Sequence, residues 1–482
     1  MIADNSQFDV IVIGSGPAGQ NAALEAASLG ARVLIVEQEP KVGGACVQYG
    51  TIPSKTLRET ALTLTAFQRR SGDVYRVSHD SQLSITSLMR RLTEVVHAHQ
   101  QTTRVCLERA GVQRASGRAS FVSPHEVCIA KVTGQKQAAT ATTIVIATGS
   151  RPRNPSGVAV DHENILDSDS LLSMTYLPSS IVILGGGVIA CEYASTFASL
   201  GVKVAMLDKA PLPLGFLEPD VVHFFLQLLK DNGGEFRGGC DIQSVTWDGL
   251  SSVNVKLASG EILKADKAFV ALGRVANIES LKLDLAGLKP TERGLLSVNE
   301  FCQTAVPHIY AAGDTIGPPA LASASMEQGR RAIRHALCGT EAPVSGSLPT
   351  GIYTIPELAT VGMTEQQAKE KFGGAMVARI DFHQIARAHI MASSGGMLKL
   401  VADAEGRRVL GVQIAGDGAT ELIHMGQMAL IGQMPVDAFV QSTFNFPTMA
   451  EAYRLAALEI IHAREAQSGL DRESWRKFKC ET

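Results

Sequence analysis

The stretch Val10-Ile11-Val12-Ile13-Gly14-Ser15-Gly16-Pro17-Ala18-Gly19 carries the reading of the fold. Four apolar, β-branched residues run straight into a G-x-G-x-x-G turn, which predicts a buried strand entering a tight loop. The alanine-rich stretch Asn21–Leu29 predicts a helix closed by Gly30. Arg32–Val36 predicts a second strand that ends at Glu37. In this order of strand, glycine turn, helix, strand and acid, Gly14, Gly16 and Gly19 let the backbone turn and approach a pyrophosphate at a helix N-terminus. Glu37 is placed to accept hydrogen bonds from a ribose diol.

The same unit recurs. Ile181-Val182-Ile183-Leu184 leads into Gly185-Gly186-Gly187-Val188-Ile189-Ala190, the G-x-G-x-x-A form, with Gly185 and Gly187 in the cradle positions. A helix is expected to about Leu200, then a strand from Val202 to Leu207 ending at Asp208. The separation from first glycine to acid is 23 positions in both copies. One glycine motif alone is weak evidence and could be an ordinary turn of an α/β sheet. Two copies in full βαβ context, each reaching an acid at matched spacing, point to two dinucleotides. The simplest pair is one flavin and one nicotinamide.

Three further segments support this reading. Thr143–Ser150 is a β-branched strand ending at Gly149, and Ala268–Arg274 ends the second unit in the same way at Gly273. His308–Asp314 is a strand with an acid just past it, ahead of a helix expected over Ser323–Leu337. Asp314 could bond the hydroxylated chain of a flavin; an acid there is also a common cap or turn residue. The fold class expected is α/β with two Rossmann-like dinucleotide-binding domains and a carboxy-terminal α+β domain.

Bulk properties agree. A length of 482 residues suggests about three domains. The net charge of -3 leaves no basic footprint for nucleic acid or an anionic membrane. No apolar run approaches the ~20 residues of a membrane span. Met1–Phe8 is polar and lacks the pattern of an export signal. The eight cysteines are scattered, with no metal knuckle or C-x-x-C pair, which suggests reduced thiols in a cytoplasm. No metal site is expected, and His383, His389 and His424 form no ligand-like cluster.

Taken together, these residues resemble the flavoprotein disulfide reductase family. Within it the likeness is nearest to the soluble pyridine nucleotide transhydrogenases. The similar segments are Gly50-Thr51-Ile52-Pro53-Ser54-Lys55, Gly187–Ser195, Pro349–Glu357 and Phe444–Arg454. The resemblance implies FAD and NAD(H), with NADP(H) as a second nucleotide. It implies a flavin domain from residues 1–152 and 276–346, a nicotinamide domain from 153–275, and a dimer interface from 347–464. Homodimers follow from the same resemblance. Residues 465–482 form a charged, helix-prone tail with no assigned role.

The redox machinery departs from the family. Its members carry two cysteines, with four residues between them, against the flavin. Here the first is Cys46 and the second position holds Thr51. The family's catalytic His before Pro is replaced by Phe446, before Pro447, leaving Glu451 without it. A hydroxyl cannot form a disulfide, and phenylalanine cannot take a proton from a thiol. Disulfide reduction is therefore excluded. Cys46 is either a thiol that tunes the flavin or a small buried hydrophobe, and packing is the favoured reading. Lys55 matches the family lysine near the flavin N5, and Glu192 matches its salt-bridge partner. A cation there would stabilise negative charge developing during hydride transfer.

Asp208 would bond a free 2'-hydroxyl and repel a 2'-phosphate, which favours NAD(H). Lys209 is the nearby cation and could partly offset that acid. Three functions are compatible. The first is ping-pong hydride exchange between NAD(H) and NADP(H) through FAD. The second is an NADH dehydrogenase or oxidase with a quinone, small oxidant or oxygen as acceptor. The third is a flavin- and NADH-binding sensor without turnover.

Overall fold

The computed structural model describes residues 6–71, 85–339, 346–393 and 395–467. The chain divides into two compact units. One comprises Met1–Thr60, Asp80–Pro178 and Ile242–Val344; the other comprises Ala61–His79, Ser179–Asp241 and Ser345–Thr482.

At the centre of the first unit lies the strand Ser6–Ile13, paired in parallel with Val33–Glu37 on one side and Lys136–Ile146 on the other. Gln113–Ser116 and Ile309–Ala311 add further parallel strands, and Glu126–Ala130 and Arg118–Ser123 extend the sheet antiparallel. Both faces of the central strand are buried. Val10 and Val12 pack with Ala22, Ala26 and Ile333, whereas Ile11 and Ile13 pack with Phe121, Ile129 and Ile144. A strand covered on both sides reads as a continuous apolar run, which is why the period-two alternation was silent here.

That strand begins earlier than the sequence suggested. Phe8 is buried between exposed Gln7 and Asp9, and the ladder to Lys136–Ile146 starts at Ser6. The strand expected from Thr143 likewise reaches back to Lys136, because its first half pairs antiparallel with Glu126–Ala130. Helix Pro17–Ser28 packs along helix Ala322–Cys338, and Glu25 meets Arg334 at 3.0 Å between them.

In the second unit, Ser180–Leu184, Lys203–Leu207 and Gly234–Arg237 are parallel, with helix Val188–Ser199 following the first. The carboxy-terminal part is a five-stranded antiparallel sheet. Its order is Thr350–Ile352, Leu358–Gly362, Val409–Gly416, Gly396–Asp403, Ala375–Asp381. Helices Ala419–Ile431 and Glu451–Gln467 cover it, and Tyr453, fully buried, donates its hydroxyl to the Leu422 carbonyl at 2.8 Å. Two βαβ cradles and an α+β carboxy-terminal part are the architecture expected. The tail from residue 468 onward lies outside the described residues.

Candidate active site

The two glycine turns are built alike, down to the way each acid is held. Gly14 and Gly185 adopt φ of 103° and 116°, a region that side chains rarely occupy. A Cβ on Gly14 would sit 2.2 Å from the Ala147 carbonyl oxygen. Gly16 and Gly187 precede their helices with nearly the same extended backbone, φ -69° and -79°. Neither helix has a side-chain cap or an acid in its first turn. Their N-terminal N–H groups are therefore left for an anion.

Glu37 and Asp208 then close each turn. The Glu37 Oε2 accepts from the Ser15 backbone N–H at 2.9 Å and from the Ser15 hydroxyl at 2.6 Å. Its Oε1 accepts from Glu39 N–H at 2.9 Å. In the second copy, Asp208 Oδ2 accepts from the Gly186 N–H, and Oδ1 from Ala210 N–H at 2.7 Å. The acid is clasped by the second residue of the turn in both. Backbone donors fix the orientation of each carboxylate and leave lone pairs on its oxygens for a ribose diol. Position 15 and position 186 lie inside the motif, so the spacing contained this contact, although no rule of residue type announced it.

The first cradle has a second wall. Gly43 N–H donates to the Ser15 carbonyl and hydroxyl, both at 3.1 Å, bringing the Gly43–Gly44 turn against Gly16. Beside it, the Thr148 hydroxyl is buried and has no hydrogen-bond partner among the described residues. An orphaned buried hydroxyl, an uncapped helix end and a fixed carboxylate together fit the diphosphate and ribose of a flavin dinucleotide. The flanking Gly149 turns the chain at φ 67°.

Cys46 lies in helix Gly44–Gln48, and Thr51 and Lys55 lie in helix Thr51–Ser71. Burial pushes the Cys46 thiol above its ordinary value of 9.0. A hydrogen bond with Thr51 and the Lys55 charge oppose the shift, and Asp314 reinforces it. The four side chains expected near a flavin thus share one neighbourhood. A thiol so shifted stays protonated at neutral pH and is a poor nucleophile.

Asp314 sits in a short turn, Gly313–Thr315, and does not cap the helix, which begins at Ala322 after Leu321. Its Oδ2 accepts from the Ser150 hydroxyl. That same hydroxyl accepts from Arg274 Nε at 2.7 Å, and Arg274 also donates to the Ser150 carbonyl at 2.7 Å and the Ser168 hydroxyl at 3.0 Å. Ser150 and Arg274 were not anticipated as site residues. Each adjoins a glycine that was, Gly149 and Gly273, and that adjacency was the available signal.

Glu192 belongs to the second unit, on helix Val188–Ser199, where it is buried and its Oε1 accepts from Tyr353 N–H at 2.9 Å. Lys209, expected to offset Asp208, is instead ion-paired with Asp241 at 2.8 Å. Phe446 is largely exposed at 74%.

With two matched cradles in place, comparison with known proteins is decisive. The model of the pyridine nucleotide-disulphide oxidoreductases matches residues 8–329, and that of their dimerisation domain matches residues 348–457. The chain belongs to the pyridine nucleotide-disulphide oxidoreductase family. It is 41% identical over 463 residues to a soluble pyridine nucleotide transhydrogenase of Mycobacterium tuberculosis, covering 95% of this chain and 98% of that protein. A relative of the same name from Pectobacterium atrosepticum is 39% identical, covering 94% and 97%. Among solved structures, this oxidoreductase is similar to LpdA of Mycobacterium tuberculosis, with a TM-score of 0.87 and 26% identity over 94% of this chain and 99% of that one. It is also similar to the HOCl-induced flavoprotein disulfide reductase RclA of Escherichia coli, with a TM-score of 0.84 and 26% identity over 93% and 99%. No described helix of this family member is long and apolar enough to cross a membrane.

Proposed function

We propose that this chain is an FAD-dependent pyridine nucleotide transhydrogenase, exchanging hydride between NAD(H) and NADP(H) without an active-site disulfide. The observation that carries this reading is the hydroxyl of Thr51 beside Cys46, in a chain whose two dinucleotide cradles are complete. Two intact cradles support nucleotide and flavin binding, while a hydroxyl in place of the second thiol leaves no route to a disulfide substrate. Relatives of about 40% identity named as soluble transhydrogenases support the same conclusion.

In this reading FAD, when bound, supplies a two-electron centre that takes hydride from one nucleotide and returns it to the next. Gly14, Gly16, Gly19 and Glu37 hold its diphosphate and adenosine ribose, and Asp314, held by Ser150, orients its hydroxylated chain. Lys55 provides a cation where negative charge develops. Gly185, Gly187 and Asp208 seat the nicotinamide nucleotide. Residues 1–152 and 276–346 form the flavin domain, 153–275 the nicotinamide domain and 347–464 the interface of a homodimer working in the cytoplasm. Cys46 packs, and does no chemistry.

Anaerobic mixing of the holoenzyme with NADPH and thio-NAD+ tests the proposal, and reduction of the analogue is expected. No transfer, together with rapid NADH oxidation in air or with a quinone, would establish the second reading, an NADH dehydrogenase. The clasped Asp208, set to accept from a 2'-hydroxyl, is the feature that favours that alternative.

A further inference from the structure

An enzyme that uses both nucleotides must tolerate a 2'-phosphate beside Asp208, and the surroundings of that acid look unfavourable. The cations near it are already engaged. Lys209 Nζ lies 2.8 Å from Asp241 Oδ1, and Arg237 donates to Glu235 at 3.0 Å. The loop is tied together by its backbone: Asp208 N–H donates to the Arg237 carbonyl at 3.2 Å, and Cys240 N–H to the Asp208 carbonyl at 2.8 Å. This rim of the second cradle therefore holds three acids, Asp208, Glu235 and Asp241, against two bases. As folded it favours the uncharged 2'-hydroxyl.

The two pairs differ in what they can release. Lys209 and Asp241 are both well exposed, at 75% and 60% of the side chain. Exposed pairs on long side chains hold each other weakly and exchange partners readily. A ribose 2'-phosphate carries more charge than one carboxylate and competes well for an ammonium. Resting on the reading of Asp208 as the ribose acid, we propose that Lys209 and Asp241 form a movable ion pair that governs selection between NAD(H) and NADP(H). With NAD(H), Lys209 stays on Asp241. With NADP(H), it leaves Asp241 for the 2'-phosphate and offsets Asp208. Asp241 is thus a specificity-determining residue that works through Lys209.

The test uses nicotinamide-free probes, so it does not depend on hydride transfer. Calorimetric titration of the holoenzyme at low salt with 2',5'-ADP and with 5'-AMP gives an affinity ratio for each variant, and any general loss of fold cancels in it. Asp241→Asn should raise the ratio in favour of 2',5'-ADP by roughly two- to five-fold, and Lys209→Gln should lower it by a similar factor. In the Lys209→Gln background, Asp241→Asn should leave the ratio where Lys209→Gln alone puts it. Both shifts should shrink as salt is raised. An unaltered ratio in Asp241→Asn, an Asp241→Asn effect that persists without Lys209, or absence of 2',5'-ADP binding throughout would each overturn the proposal. Failure of the transhydrogenase reading shows itself separately, as absent analogue reduction by a protein whose ribose probes still discriminate.

Discussion

Asp208 shows how much a single side chain can be made to do by its donors. Its two oxygens are held by Gly186 and Ala210 N–H groups, so the carboxylate is fixed in place at the cradle. Replacement by Asn removes the charge and one acceptor. The KM for NADH is then expected to rise about ten-fold, with a smaller change for NADPH, because charged hydrogen bonds to a sugar hydroxyl are worth more than neutral ones. Equal KM for NADH in both proteins would show that the acid does not touch the ribose. Cys46 is the opposite case, a reactive residue type silenced by its setting. Burial is the largest influence on it and raises its pKa above 9.0, so the thiolate forms only in alkaline solution. Iodoacetamide labelling followed by mass spectrometry should modify exposed Cys106 and Cys338 readily at pH 7, and Cys46 only in more alkaline solution. Fast labelling of Cys46 at neutral pH would reopen its chemical role.

Between elements, the second unit is held by a buried charge cluster that no motif pointed to. Lys399, on strand Gly396–Asp403, lies 2.9 Å from Glu365, 3.2 Å from Glu218 and 3.4 Å from Asp220. Glu218 precedes helix Pro219–Asp231, and Glu365 opens helix Glu365–Phe372, so one ammonium joins a strand to two helix starts. Lys399 and Glu218 are buried, and a buried acid stripped of its partner is costly. Lys399→Met should lower unfolding stability by about 3 kcal/mol in denaturant titration. The pH dependence follows from the shifts. Hydrogen bonds from Lys369 and Lys399 lower the pKa of Glu365 from 4.5. Its stabilisation is therefore complete above that value and is lost as pH falls through the lower, folded one. Burial disfavours the Lys399 charge, but Glu365, Asp220 and Glu218 together raise its pKa above 10.5, so its contribution is lost only in strong alkali. Thermal melts of the wild type should fall more steeply below pH 4.5 than those of Lys399→Met. Parallel curves would remove the cluster from the stability account.

For the whole molecule, assembly is the main consequence. The carboxy-terminal sheet carries a match to a dimerisation domain. Beside its buried core, the single chain exposes Met428 at 54%, Ile431 at 46% and Phe446 at 74%. Met428 and Ile431 share one face of helix Ala419–Ile431, three positions apart. Light scattering is expected to give twice the 51.1 kDa of one chain, and Ile431→Asp should shift the population toward the monomer. A monodisperse monomer in the wild type would rule out the homodimer.

The cradles were legible because their chemistry is local. A strand, a glycine turn, a helix and an acid lie within a few dozen residues, so spacing alone locates Gly14, Glu37, Gly185 and Asp208. Loss of the second cysteine at Thr51 and of the histidine at Phe446 was equally plain, since each is a matter of which residue stands at a position. What the chain order withheld were contacts made across long separations. Ser150 meets Asp314, Arg274 meets Ser150, and Lys399 meets Glu218, with 181 or fewer positions between partners whose residue types are unremarkable on any surface. Lys209 illustrates the difference most clearly. Next to Asp208 in sequence it reads as that acid's counter-charge, yet it pairs with Asp241, because the parallel strands Lys203–Leu207 and Gly234–Arg237 bring the two loops together at one sheet edge. Local backbone chemistry is written in neighbouring residues, whereas the partner of a flexible charge is settled by whichever opposite charge the sheet carries within reach.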